Sequence, residues 1–208
     1  MEPAEMWRVI DTQRSELAEL FEGLSDEQWA CQSLCEEWSV REVGAHLSLG
    51  ARTGLGRVLV EVVRARGNFD RMVADTAIRE ARRPRDEIVA ELRTVVGSRH
   101  LAPGQKLGYA MMDVLVHGQD ICVPLGLDRA MPLDAARYSA EQTWRMGFPF
   151  HARKRLAGYR LTATDVEWTA GEGAPIEGPI ASLLLLLSGR DAGLDHLTGE
   201  GAARLAAH

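Results

Sequence analysis

The chain has 208 residues, enough to bury a substantial core, and its 46% hydrophobic and 26% charged residues are those of an ordinary globular protein. Its net charge of −6 gives no electrostatic reason to bind nucleic acid. The longest apolar run, Ile180 to Leu187, is far too short to span a bilayer.

Only Lys106 and Lys154 are lysines among the 24 basic residues, a bias that goes with a high-GC bacterial genome. Cys31, Cys35 and Cys122 are odd in number and form no CxxC pair. They are expected as small buried or partly exposed reduced thiols, which fits a cytoplasmic protein. The acidic start, Met1-Glu-Pro-Ala-Glu, leads into an amphipathic run and is unlike a signal peptide.

Residues 4–23 set Met6, Val9, Ile10, Leu17, Leu20 and Phe21 on one helical stripe that Gly23 ends. Ser25-Asp-Glu-Gln28 resembles a capping box opening a short helical turn. Ser39 with Glu42 repeats that box and predicts a long helix from about 40 to 65. Gly44, Gly50, Gly54 and Gly56 lower its propensity but would permit close approach of a neighbour, as in a central helix. A short helix is expected over 69–81. Pro84 fits the first turn of another that runs to about Val96. After a loop at 97–105, a strongly apolar helix runs from about Lys106 to Cys122. Residues 124–132 connect to a further helix that Asp134 caps, ending near Met146.

The texture changes after residue 150. Residues 159–165 and 166–169 are rich in β-formers, Gly171-Glu-Gly173 reads as a turn, and 175–178 as a third short strand. Pro179 opens a buried helix through Ala181–Leu187, closed by Gly189; a helical turn and a short tail follow. The Leu183–Leu187 run suits burial, or alternatively a dimer interface. The sequence thus predicts a mainly α protein. A helical bundle fills residues 1–150, and a small α/β segment fills 151–208.

Asp113 and His117 stand one turn apart on a predicted helix, so they share a face. His46, near the start of another helix, would complete a three-ligand site from across the bundle. Two imidazoles and a carboxylate suit a borderline divalent ion, zinc or nickel, and leave an open position of the catalytic kind. The alternative is a buried Asp113–His117 hydrogen-bonded pair with His46 an ordinary half-buried histidine. Against it stands the setting of Asp113 between Met112 and Val114, where an unpaired carboxylate is costly. Asp120, one turn further on, would accept from an imidazole N–H or pair with an arginine near a helix end. His100, in the 97–105 loop, is placed to reach the mouth of such a site. No Ser/His/Asp pattern, phosphate loop or dinucleotide fingerprint is present.

These residues carry a resemblance. Trp38-Ser-Val-Arg-Glu-Val-Gly-Ala-His46-Leu is similar to the first metal-ligand motif of the mycothiol-dependent maleylpyruvate isomerase family, part of the DinB-like four-helix superfamily. Asp113-Val-Leu-Val-His117-Gly-Gln-Asp120-Ile resembles its second motif, in which an acidic residue and a histidine complete the triad. The isomerase itself carries a longer Glu where this chain has Asp113, a departure that bears on metal identity and affinity. Gly158-Tyr-Arg-Leu-Thr-Ala-Thr-Asp165, Trp168, Gly178-Pro-Ile-Ala-Ser-Leu and Leu187-Ser-Gly-Arg190 resemble the C-terminal segment of these proteins.

The resemblance implies a DinB-like four-helix bundle with a small C-terminal α/β appendage. It also implies a divalent metal, usually zinc, held by His46, Asp113 and His117, and mycothiol as cosubstrate. The expected activity is isomerisation of, or thiol S-transfer to, a small maleylpyruvate-like electrophile. Arg190 is the candidate to hold a carboxylate of the substrate or the thiol conjugate. Two alternatives stay open: a metal-dependent hydrolase without a thiol, and a non-catalytic metal-binding stress-response protein on the same fold. Partners are then small molecules, with no nucleic acid or membrane, in a monomer or homodimer.

Overall fold

In the computed structural model, which describes residues 1–49 and 54–207, the chain divides into two compact units. The first is Glu2–Arg129, and the second begins at Ala130. The division comes earlier than the change of texture after 150 suggests, because the helix ending near 146 packs with the C-terminal elements.

The first unit is helical. Helix α1 (Pro3–Gly23) buries Met6, Ile10, Leu17 and Phe21 on one stripe, with Gln13 and Arg14 on the same buried face. Helix α2 (Asp26–Ala30) opens on a full capping box: Gln28 N donates to Ser25 Oγ, and Ser25 N donates to Gln28 Oε1. Then come α3 (Val40–Leu49), α4 (Leu55–Arg64), α5 (Phe69–Glu80), α6 (Arg85–Thr94) and α7 (Leu107–Cys122).

The single helix expected over 40–65 is not continuous. Gly54 is extended and stands at the N-cap of α4, and residues 50–53, with Gly50, lie outside the described residues. Helices α1 and α3 each pack against both α6 and α7, which closes a four-helix ring. Helices α2 and α5 lie against α3, and α4 against α5. The close-approach reading of the glycines holds at Gly44, where a Cβ would sit 2.7 Å from Phe21 Cζ. Gly54 and Gly56 have no such neighbour within 4 Å.

The second unit holds α8 (Leu133–Arg145), α9 (Ala152–Arg155), β1 (Tyr159–Ala163), β2 (Thr169–Gly171), β3 (Ala174–Gly178), α10 (Ile180–Leu187), a 3-10 turn (Asp191–His196) and α11 (Glu200–Ala206). Pro132, not Asp134, occupies the N-cap of α8; Asp134 lies in the first turn. The second strand forms at 169–171 rather than 166–169. The turn 164–168 lets Ala163 N bond Trp168 O, so β2 pairs antiparallel with β1 from Thr169 onward. Strand β3 runs parallel to β1 on its other side, giving the order β2-β1-β3. Pro175 is tolerated because β3 is an edge strand. Leu183–Leu187 are all buried and α10 packs on α8, so this run offers no exposed dimer surface. Among the described residues no helix is long and apolar enough to cross a membrane.

Candidate metal centre

The site is built on two helices of the first unit. Ser39 N donates to Glu42 Oε2 at 2.8 Å, half of the predicted capping box, and α3 starts at the next residue. His46 lies in the last turn of α3, which packs on α7. Helix α7 presents Asp113, His117 and Asp120 at successive turns.

The structure brings His46, Asp113 and His117 together. His46 Nε2 and His117 Nε2 each stand 3.5 Å from Asp113 Oδ1. The three ligand atoms all lie within 4.8 Å of one another. A tetrahedral ion with bonds of about 2.0–2.1 Å sets its ligand atoms about 3.4 Å apart. An ordinary N–H···O hydrogen bond is shorter than the 3.5 Å seen here, so the spacing suits a shared cation better than direct pairing. The donor set of two imidazoles and one carboxylate fits a small divalent ion with one coordination position to spare.

Orientation comes from below. His117 Nδ1 is 2.7 Å from Asp120 Oδ2, and Asp120 is fully buried. An ionised carboxylate only accepts, so a ring proton sits on Nδ1, and Nε2 is the nitrogen that faces Asp113 and His46. Burial works against charging His117, yet Asp113, Asp120 and Cys35 outweigh it and raise its pKa well above the ordinary histidine value. Burial likewise disfavours ionised Asp113, but His46 and His117 hold its pKa far below the carboxylate range. Without metal, a proton is thus held between these groups; a metal ion must displace it.

Three further side chains, Cys35, Trp38 and Arg14, border the centre without being among its expected ligands. Cys35 Sγ donates to Asp120 Oδ2 at 3.2 Å and lies 4.0 Å from His117 Nδ1. Leu34 N also donates to Asp120 O, so the 31–39 loop is strapped to α7. The loop carries Trp38, whose ring centroid is 5.1 Å from that of His46 and 5.9 Å from that of His117. Gln32 Nε2 donates to Cys35 O and Trp38 O at 2.7 and 2.8 Å, which fixes the loop's shape.

The third is Arg14. Its place four residues after Ile10 and three before Leu17, on the apolar stripe, was the available signal. Arg14 lines a small cavity with Asp113, Leu17, Leu47, Leu92, Gln105 and Val114. The cavity gives about 20 Å³ to water centres, room for one small polar group.

The two other expected contributors, Arg190 and His100, each have surroundings within their own unit. Arg190 belongs to the second unit, where it N-caps the 3-10 turn and donates from Nη1 to Ser188 O at 2.6 Å. His100 is exposed in the 97–105 loop, with its backbone N on Ser98 Oγ.

Comparison with known proteins gives a consistent outcome. The sequence profile of the mycothiol maleylpyruvate isomerase N-terminal domain matches residues 10–122, which contain the whole of this centre. Among solved structures, the chain superposes on a mycothiol-dependent maleylpyruvate isomerase with a TM-score of 0.68 at 13% identity, covering 97% of this chain and 94% of that one. A histidine-to-alanine mutant of a mycothiol-dependent maleylpyruvate isomerase gives 0.66 over the same coverage and identity. The mainly α fold with its small C-terminal sheet is therefore shared. No curated protein matches the sequence significantly.

Proposed function

This chain belongs to the family of the mycothiol maleylpyruvate isomerase N-terminal domain, and from that premise we propose that it is a metal-dependent isomerase using mycothiol on a small, maleylpyruvate-like electrophile. The observation that carries the reading is the convergence of His46 Nε2, His117 Nε2 and Asp113 Oδ1 from two helices on one centre. These three residues would hold a divalent ion, zinc in the first place and nickel in the second. When bound, the ion supplies a Lewis acid that lowers the pKa of a coordinated thiol into the neutral range.

The chain's own residues do the rest. Asp120 keeps His117 in the one tautomer that turns its lone pair inward. Trp38 covers both imidazoles and excludes water from that side. Asp113 stands on the open side, with 32% of its side chain exposed against 11% for His117, so solutes approach past the carboxylate. The thiolate adds to the activated double bond, forming C–S while the π pair moves onto the conjugated carbonyl. Rotation about the resulting single bond and return of that pair then expel the thiolate, which is not consumed. Arg190 would serve the same chemistry by holding a carboxylate of the substrate or the thiol conjugate.

The test is metal analysis and turnover of untagged protein. It is expected to carry a stoichiometric divalent ion and to isomerise maleylpyruvate only when mycothiol is present. His46→Ala and His117→Ala should each lose the ion and the activity, and Arg190→Ala should lower kcat/KM with metal content intact. A protein without metal, or variants that keep it, would overturn the reading. A product that retains sulfur would mean S-transfer, and turnover without any thiol would mean hydrolysis.

A further inference from the structure

Arg14 is an uncommon object: a guanidinium only 9% exposed, inside a helical bundle, with no acidic side chain in ion-pair contact among the described residues. Nη1 alone is used. It donates to Val95 O at 2.9 Å and Ser98 O at 3.3 Å, capping the C-terminal end of α6. Nη2 and Nε have no hydrogen-bond partner among the described residues. The nearby Asp11 is occupied by Gly97 N and by Arg99, whose Nη2 lies 2.8 Å away. Neither Nη2 nor Nε of Arg14 is a fully buried unsatisfied atom, so both donors remain open to a solute that reaches the cavity.

Asp113 is the other acidic group that this charge feels. Once a divalent ion sits on the triad, the charge of Asp113 is engaged by it, and Asp113 is no longer a counter-charge for Arg14. Arg14 then stands as a charge without a counter-ion at a cavity whose walls include Leu17, Leu47, Leu92 and Val114. Gln105 lines the same space; its Oε1 is taken by Ala102 N, which leaves its amide N–H groups to donate. Two free guanidinium donors in a fork fit the two oxygens of a carboxylate, the one small polar group for which the cavity has room.

We propose that Arg14 is the specificity residue of this site and binds a carboxylate of the substrate, orienting its unsaturated carbons toward the metal-held thiol. The identity of that carboxylate as the electrophile's rests on the function proposed above; binding of an anion by Arg14 does not.

The experiment uses maleate as the probe, on the full chain in both metal-free and zinc-loaded forms. Maleate is titrated while the Arg14 side-chain Nε–H resonance is followed by NMR, with neutral dimethyl maleate as control. A saturable shift with maleate and none with the diester is expected. Arg14→Gln keeps an amide to donate to Val95 O but no charge, and should weaken maleate binding about 10–100-fold with metal content unchanged. In turnover it should raise KM for the substrate with kcat far less affected. The proposal is overturned if the Arg14 resonance stays still at saturating maleate, if maleate does not bind, or if Arg14→Gln binds it as the wild type does. Should that variant not fold, the wild-type resonance decides. Maleate on Arg14 in a protein that takes no zinc would leave this inference standing and remove the metal reading; zinc on the triad with a silent Arg14 would do the reverse.

Discussion

Replacing Asp120 tests whether the centre is a metal site held in place from behind. Asp120 Oδ2 accepts from His117 Nδ1 at 2.7 Å and from Cys35 Sγ at 3.2 Å, in a place with no solvent exposure. Asp120→Asn keeps the shape and an acceptor oxygen but removes the charge. A charge-assisted bond is worth about 1 kcal/mol more than a neutral one, so zinc affinity should fall about fivefold. Asp120→Ala removes the acceptor altogether and lets the ring turn, and losses of about 10–100-fold are the rule for such partners. The order wild type, Asn, Ala is therefore the signature. Competition of each purified protein with a fluorescent zinc chelator, at one neutral pH and one salt concentration, reads it directly. If both variants hold zinc as tightly as the wild type, His117 is not a ligand oriented by Asp120, and the reasoning fails.

Two further outcomes follow from the geometry. Because His117 carries a raised pKa, the stability its proton gives the metal-free protein is complete below the unfolded value of about 6.5 and lost as pH climbs through the folded value. Zinc needs the same nitrogen free, so its affinity should keep rising as pH climbs above about 6.5 toward the raised folded value; a flat profile would show that no such proton competes. Gly44→Ala would place a methyl 2.7 Å from Phe21 Cζ and 2.8 Å from Cε1. Overpacking of that kind costs about 1–3 kcal/mol, which should lower Tm by roughly 2–10 °C with the metal site unaltered; an unchanged Tm would mean that the α1–α3 crossing relaxes freely.

Much of this was legible in the chain itself. The four-residue spacing of Asp113 and His117 fixes their common face whatever the tertiary context, and Ser39 with Glu42 announces the start of α3. Periodicity does not reveal partners drawn from loops. Cys35 reads as a bland thiol because its approach to Asp120 depends on the fold of residues 31–39, which Gln32 shapes through main-chain carbonyls. Arg14 hides for a different reason: its charge makes it look like a solvent residue, although its position on the apolar stripe places it inside. The break at Gly54 and the late start of β2 show the usual weakness at boundaries, where one extended glycine or one turn shifts an element.

Helices α3 and α7 contribute unequally to the centre: three of its polar side chains travel with one rod and only His46 with the other. An ion gripped there acts as a clasp between the rods, since sliding either one stretches a single bond. Stripping the ion should therefore unfasten this seam before any other part of the ring, and amides flanking His46 would then trade hydrogen with solvent ahead of the rest of the first unit.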